Sequence, residues 1–451
     1  MNAWSIAGLA ALNALFCVVG AALLWAVRGW RAWTELLRLG AVAYLLGVVC
    51  TTLPLVWLLT VGVGPSVPLV IALAVVAAGA ALFAGRRRPR PAWRLRERRT
   101  EPFVLVGVAC AALAVVWLEA FFRVARASGL EAFDAWSFWV PKAQAIYYFG
   151  GLDERLFREL AGQTYPILVP TLEATDFHFM GSADTNALHV QFWLLLVGFV
   201  FAVAGLLRPR VPLVVVWPFL AALVLMPELG ARAIAPQADL TLDYFFVSAA
   251  LCAALFLRER EPWLLVSYGI LLAAAMSTKR EGQLLAACLV GAAVAVSWRD
   301  RRFAWPRLVG VAALAFVATL PWRFWFTSRD LRGETPGASL STLLDSAGRI
   351  LPSLRLVVEL ALDSGAWLAL LPIAITAAAL CLVFGRRGAS ALFLLVVAFG
   401  LLGLTWILWS IAALPIVPSD ATPIPRAVGA LTLLGAAFGP LLVWELVEDR
   451  R

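Results

Sequence analysis

The residues able to do chemistry stand in short polar runs between long apolar ones. The first run reads Glu131-Ala132-Phe133-Asp134-Ala135-Trp136-Ser137-Phe138-Trp139-Val140-Pro141-Lys142, and Tyr165-Pro166-Ile167-Leu168-Val169-Pro170 with Glu173 and Asp176 follows it. A second holds Asp239-Leu240-Thr241-Leu242-Asp243-Tyr244, and a third Ser277-Thr278-Lys279-Arg280-Glu281-Gly282. Asp134 has two readings. It is the N-cap of an amphipathic helix, accepting from first-turn amides, or a carboxylate held at a membrane surface beside an aromatic platform. Asp239 and Asp243 are four apart and share a helix face. As acids at a helix start they oppose the helix dipole favourably. Lys279 and Arg280, crowded at a span boundary, either snorkel or bind an anion. The chain has two lysines, Lys142 and Lys279, with arginine at every other basic position. An ammonium meets phosphate as a point charge, unlike an arginine fork.

Other polar residues carry weaker signals. Glu173 and Asp176 read as a connector facing water, with the two prolines bending the segment. Asp420 and Arg426 bracket the start of the last span. His178 and His189 lack the HExxH spacing of a zinc site. No GxGxxG or P-loop is present, and the paired acids do not identify a metal. No cofactor is therefore expected, and a divalent cation near Asp239 is unsupported.

The elements that must position these residues follow from composition. Of 451 residues 62% are hydrophobic and 14% charged, with mean hydropathy +0.88. Soluble domains run nearer half apolar and a quarter charged, so a water-soluble fold is excluded. At about 20 residues per crossing, apolar spans fall at 3–27, 39–62, 67–85, 103–122, 187–207, 211–228, 240–257, 262–277, 282–298, 308–322, 365–384, 389–414 and 427–445. The expectation is an all-α polytopic membrane protein of about 13 spans. Eight arginines crowd into 86–99, the pattern of a cytoplasmic loop touching anionic lipid heads rather than nucleic acid. Parity then places the loops at Arg28–Arg38, Arg208–Arg210, Arg258–Glu261, Trp298–Arg307 and Arg386–Arg387 and the C-terminal tail inside, and the N-terminus with Gly62–Ser66 and segments 123–186 and 323–364 outside. No removable signal peptide is read at the N-terminus.

Within the first long external segment, 131–149 reads as an amphipathic interfacial helix with Trp136, Trp139, Ala143, Ile146 and Gly150 on one face and the tryptophans at headgroup depth. Segment 343–362 is a second candidate for the interface. Three parts result: 1–102, a three-span segment with the basic cytoplasmic loop; 103–322, a membrane core; and 323–451, an external loop with the C-terminal spans. The six cysteines are scattered singly and support neither disulfides nor a thiolate metal site.

On these motifs the chain resembles the GT-C superfamily of polytopic glycosyltransferases, closest to bacterial relatives of the protein O-mannosyltransferases and lipid A aminoarabinose transferases. Phe133-Asp134-Ala135-Trp136 to Lys142 is similar to that family's first external loop. Tyr165-Pro166 resembles the element ending the loop. Ala238-Asp239 to Phe246 resembles an acid at the head of a span, and Met276 to Gly282 a lysine-containing turn. Gln163-Thr164 stands where relatives often have His before Tyr-Pro, and the first three spans precede the matching part.

The resemblance implies a GT-C-like fold with interfacial helices in the first long external loop. It also implies inverting transfer of a sugar from a polyprenyl-phosphate donor to a glycan, lipid or protein acceptor, outside the cytoplasm at a bacterial inner membrane. Asp134 would be the base, with Lys279, Arg280 and Arg426 on the donor phosphate. Trp136, Trp139, Lys142, Tyr165, Asp239 and Asp243 would bind or support substrate. The competing classes are a polyprenyl-linked sugar flippase or transporter, whose polar groups would sit near the midplane, and an O-antigen ligase or polymerase, for which Arg323, Arg329, Arg332 and Arg349 leave room.

Overall fold

Inside a bilayer no water is available to the backbone, so an apolar segment satisfies its amides internally as helix. The computed structural model describes residues 3–92, 103–299, 304–331, 346–385, 388–411, 416 and 424–448. Among these there is no strand, and one isolated bridge joins Ala32 to Ala92. The helices are α1 Ala3–Val27, α2 Trp33–Thr60, α3 Val67–Ala84, α4 Val104–Ala125, α5 Val140–Phe149, α6 Glu154–Glu159, α7 Leu168–Met180, α8 Thr185–Leu207, α9 Leu213–Val224, α10 Pro227–Arg232 and α11 Ala238–Glu259. They continue with α12 Pro262–Thr278, α13 Glu281–Ser297, α14 Ala304–Val317, α15 Leu320–Thr327, α16 Ile350–Ala361, α17 Ser364–Trp367, α18 Leu370–Val383, α19 Gly388–Ser410, α20 Ile424–Ala427 and α21 Gly429–Glu448.

Nine of the described helices, counting Ala304–Thr327 and Pro425–Glu448 as one each, are long and apolar enough to cross a membrane. A tenth crossing results if Ala347–Trp367 and Leu370–Val383, bent by 113°, form one span. Leu213–Val224, Pro262–Thr278 and Glu281–Ser297 are apolar but shorter. The chain is thus an all-helical, multi-pass membrane protein, with apolar helices at each expected position.

Burial ranks the spans. In its most apolar stretch α11 is 94% buried, whereas α3 and α4 are 22% buried and present valine and leucine outward. The central helix is therefore the one whose first two turns carry Asp239 and Asp243. Helices α1 and α2 meet through Gly20 and Gly47. A Cβ on Gly47 would stand 1.8 Å from the Phe16 carbonyl oxygen, and one on Gly20 1.7 Å from that of Ala43. Gly47→Val should force the pair apart and cost about 1–3 kcal/mol, the range for overpacking. Thermal unfolding in detergent checks this, and an unchanged melting temperature would contradict the close crossing.

The arginines of the expected cytoplasmic loops gather at one end of the bundle. Arg28 pairs with Glu35 at 2.9 Å and Arg88 donates to the Ala26 and Val27 carbonyls at the end of α1. Arg210 pairs with Glu259, and Arg258 reaches Glu445 on α21. Residues 93–102, with four of the eight clustered arginines, lie outside the described residues, as do Arg332 and Asp420. Asp134, Asp239, Lys279 and Arg426 meet at the opposite end.

The 131–149 helix departs from its expected form. Residues Ala135–Trp139 make a π-helical turn leading into α5. Its wider winding turns Trp136 away from Trp139, which a regular α-helix would hold on one face. Trp139, Ala143 and Ile146 are buried, while Trp136 is 51% exposed and packs edge-on to Phe133. Only Trp136 of the two tryptophans is left for a membrane surface. Segment Ile350–Ala361 forms a helix with Leu351 and the Arg355–Glu359 pair on its exposed surface, as an interfacial helix would.

Candidate functional site

A chain of charges joins four parts of the sequence at the end away from the expected cytoplasmic loops. The Asp134 carboxylate accepts from Nη1 of Arg426, and the same nitrogen is 3.5 Å from Oδ2 of Asp239. Asp239 Oδ1 accepts from Nζ of Lys279 at 2.7 Å, and Lys279 is 3.3 Å from Glu281. Asp134 stands before the π turn, Asp239 on the first turn of α11, Lys279 between α12 and α13, and Arg426 in α20. The α-helical backbone at Asp134 (φ −62°, ψ −33°) makes no side-chain cap bond, so the N-cap reading gives way to the ion pair.

Exposure divides this chain in two. The Asp239 and Lys279 side chains are 5% and 3% exposed, against 14% and 19% for Asp134 and Arg426. The Asp239–Lys279 pair is sealed, and Asp134 is more open than Asp239. Burial alone would push the Lys279 ammonium down, but the Asp239 and then the Glu281 carboxylate outweigh it and hold it above its ordinary value of 10.5. Deeper still is Asp243, buried, with Oδ2 unpaired among the described residues. It lies against Gly429, where a Cβ would stand 2.6 Å from that oxygen, so glycine is what lets α21 begin there.

Aromatic rings border the cluster. Tyr165 stacks on Trp139 with centroids 5.7 Å apart and planes 10° from parallel, and the Arg280 guanidinium lies 5.9 Å over the Tyr165 ring. Tyr165 is an electrostatic neighbour of both Lys279 and Arg426. Lys142 is fully buried. It donates to the Gly162 carbonyl at 2.6 Å, with the Phe138, Trp139 and Phe157 rings 5.3–5.7 Å from its ammonium. It therefore ties α5 to the turn that presents Tyr165, a supporting role.

Of the residues singled out by sequence, Asp134, Arg426, Asp239 and Lys279 are brought together, with Tyr165, Trp139 and Arg280 beside them. Asp243 sits deeper, Trp136 outward, and Lys142 in the support. Glu281 was missed as a third carboxylate of the cluster, though its place two residues after Lys279 was a usable signal. Glu173 and Asp176 do not face water. Both are fully buried, and none of their four oxygens has a hydrogen-bond partner among the described residues. The reason is that α7 packs against α1, α2 and α5 instead of running over the surface. His178 lies edge-on to Tyr147, and His189 contacts the Thr185 carbonyl oxygen at 3.1 Å. Among the described residues no group of three or more His, Cys, Asp or Glu gathers in a way that would hold a metal. Compared with family models, with curated proteins and with solved structures, the chain gives no match.

Proposed function

We propose that this protein is a membrane glycosyltransferase, moving a sugar from a polyprenyl-phosphate donor to an acceptor hydroxyl on the extracytoplasmic side with inversion. The supporting observation is Asp134, a partly accessible carboxylate anchored through Arg426 to a sealed ion-pair chain, at the end of the bundle opposite the arginine loops. The positive-inside rule assigns that end to the extracytoplasmic face.

The chemistry follows from the groups present. The acceptor oxygen attacks the anomeric carbon as the bond from that carbon to the phosphate oxygen breaks, and Asp134 takes the hydroxyl proton. A departing phosphate already carries negative charge, so the site needs cations there rather than a protonating acid. Arg426 occupies a carboxylate oxygen of Asp134, so the Asp134–Arg426 contact has to loosen as the acceptor enters. Lys279 and Asp239 neutralise each other and fix the depth at which Arg426 stands. Arg280, exposed and without a carboxylate partner among the described residues, is the cation better suited to phosphate. Trp136 sits at headgroup depth beside the lipid.

The test is a reconstitution in proteoliposomes with a panel of labelled polyprenyl-phosphate sugars. Label appearing on an acceptor or as free sugar, with inverted anomeric configuration, is the expected result. Label that crosses the bilayer still attached to its lipid would overturn the transferase in favour of a flippase.

A further inference from the structure

A cavity of about 230 Å³ opens beside the Tyr165–Pro166 turn, between α2, the α12–α13 turn and α14–α15. Two guanidiniums line it, Arg280 and Arg323, and no carboxylate does. Arg323 gives one nitrogen to Gln283 and lies 4.8 Å over the Phe316 ring, which leaves its Nε buried with no hydrogen-bond partner among the described residues. The Ser277 hydroxyl, also on the cavity wall, is buried and equally without a partner. Buried donors are ordinarily satisfied, so two orphans beside two uncompensated cations mark the place of an anion with several acceptor oxygens. Most of the remaining wall is apolar, with Val56, Ile167 and Phe326 on it, and Thr164, Gln283 and Thr319 add polar groups. Its α14–α15 side belongs to a span that exposes Leu314 and Phe324 outward.

We propose that this cavity holds the phosphate of a phosphate-headed isoprenoid lipid, on Arg280 and Arg323 with Ser277 as a third donor, and that the lipid chain leaves along α14–α15. The volume is several times the ~30 Å³ share of one water, enough for a head group and too small for a chain. The identity of the lipid rests on the transferase reading. The assignment moves the donor phosphate away from Lys279 and Arg426, whose charges are taken by Asp239, Glu281 and Asp134.

The test measures binding without turnover. Full-length protein in nanodiscs is titrated with a long-chain polyprenyl monophosphate carrying no sugar, with inorganic phosphate, and with phosphatidic acid. Arg323→Gln and Arg280→Gln should each weaken polyprenyl phosphate binding roughly tenfold or more, as expected for a lost charge-assisted hydrogen bond. Ala318→Phe fills the cavity with both arginines intact and should do the same, which covers the case in which an arginine variant fails to fold. Inorganic phosphate should bind far more weakly than the lipid. Unchanged lipid binding in Arg323→Gln and Ala318→Phe would overturn this site while sugar transfer by wild type kept the transferase reading. Phosphatidic acid binding as tightly as polyprenyl phosphate, or free phosphate as tightly as either, would overturn the isoprenoid assignment. Arg323-dependent lipid binding by a wild type that transfers no sugar would uphold the site and remove the transferase.

Discussion

Lys279→Met should destabilise the protein by about 3–5 kcal/mol, the range for breaking a buried ion pair by removing one partner. The effect is large because of what remains. Asp239, 5% exposed, keeps only the 3.5 Å contact to Arg426 among the ion pairs of the described residues, and that arginine is shared with Asp134. The carboxylate must then ionise without its nearest counter-charge or take up a proton at a cost. Replacing both partners, as in Lys279→Met with Asp239→Leu, should recover much of the loss, because neither member of the sealed pair is left as an unpaired charge. Melting temperatures in detergent for the two singles and the double form a cycle that reads the coupling directly. Additive effects would contradict the pairing.

The same pair fixes a pH dependence. Lys279 is held above its ordinary value of 10.5 in the folded chain, so its contribution is fully present below that value and declines as pH rises past it. Lys279 should therefore contribute no stability change between pH 6 and 9, and a loss confined to strongly alkaline solution.

Asp134→Asn should lower the turnover number by about 10²–10⁴, the usual contribution of a positioned general base. The amide keeps the shape and can still meet Arg426, but it cannot accept the proton. Its effect should fall on kcat more than on KM, since a proton acceptor acts in the transition state. Stability should change little, because the carboxylate is partly open to solvent and Arg426 retains Asp239. Loss of transfer together with loss of folding would mark Asp134 as structural instead.

How much of this could be read from residues alone differs by level. The spans were legible because a bilayer demands long apolar runs, and the arginine loops fixed which ends lie together. Arg28, Arg88, Arg210 and Arg258 do share one end. Asp134, Asp239 and Lys279 could be picked out as charges at span boundaries. Their joining could not, since Asp134 and Arg426 are 292 residues apart and meet only through helix packing. The face of the 131–149 helix was misjudged because a π turn breaks the 3.6-residue period on which such readings depend. Glu173 and Asp176 show a further limit. In a chain this apolar a polar residue in a loop suggests solvent, yet α7 lies between helices and buries both.

The central claim is that Asp134 serves as the base in sugar transfer from a polyprenyl-phosphate donor. It is tested most directly by single-turnover transfer of labelled sugar, with wild type and Asp134→Asn purified side by side and saturated with the same donor. The account predicts label on the acceptor with wild type, transfer at least a hundredfold slower with Asp134→Asn, and equal donor binding by both. Equal rates for the two proteins, or no transfer by either from any donor, would contradict it.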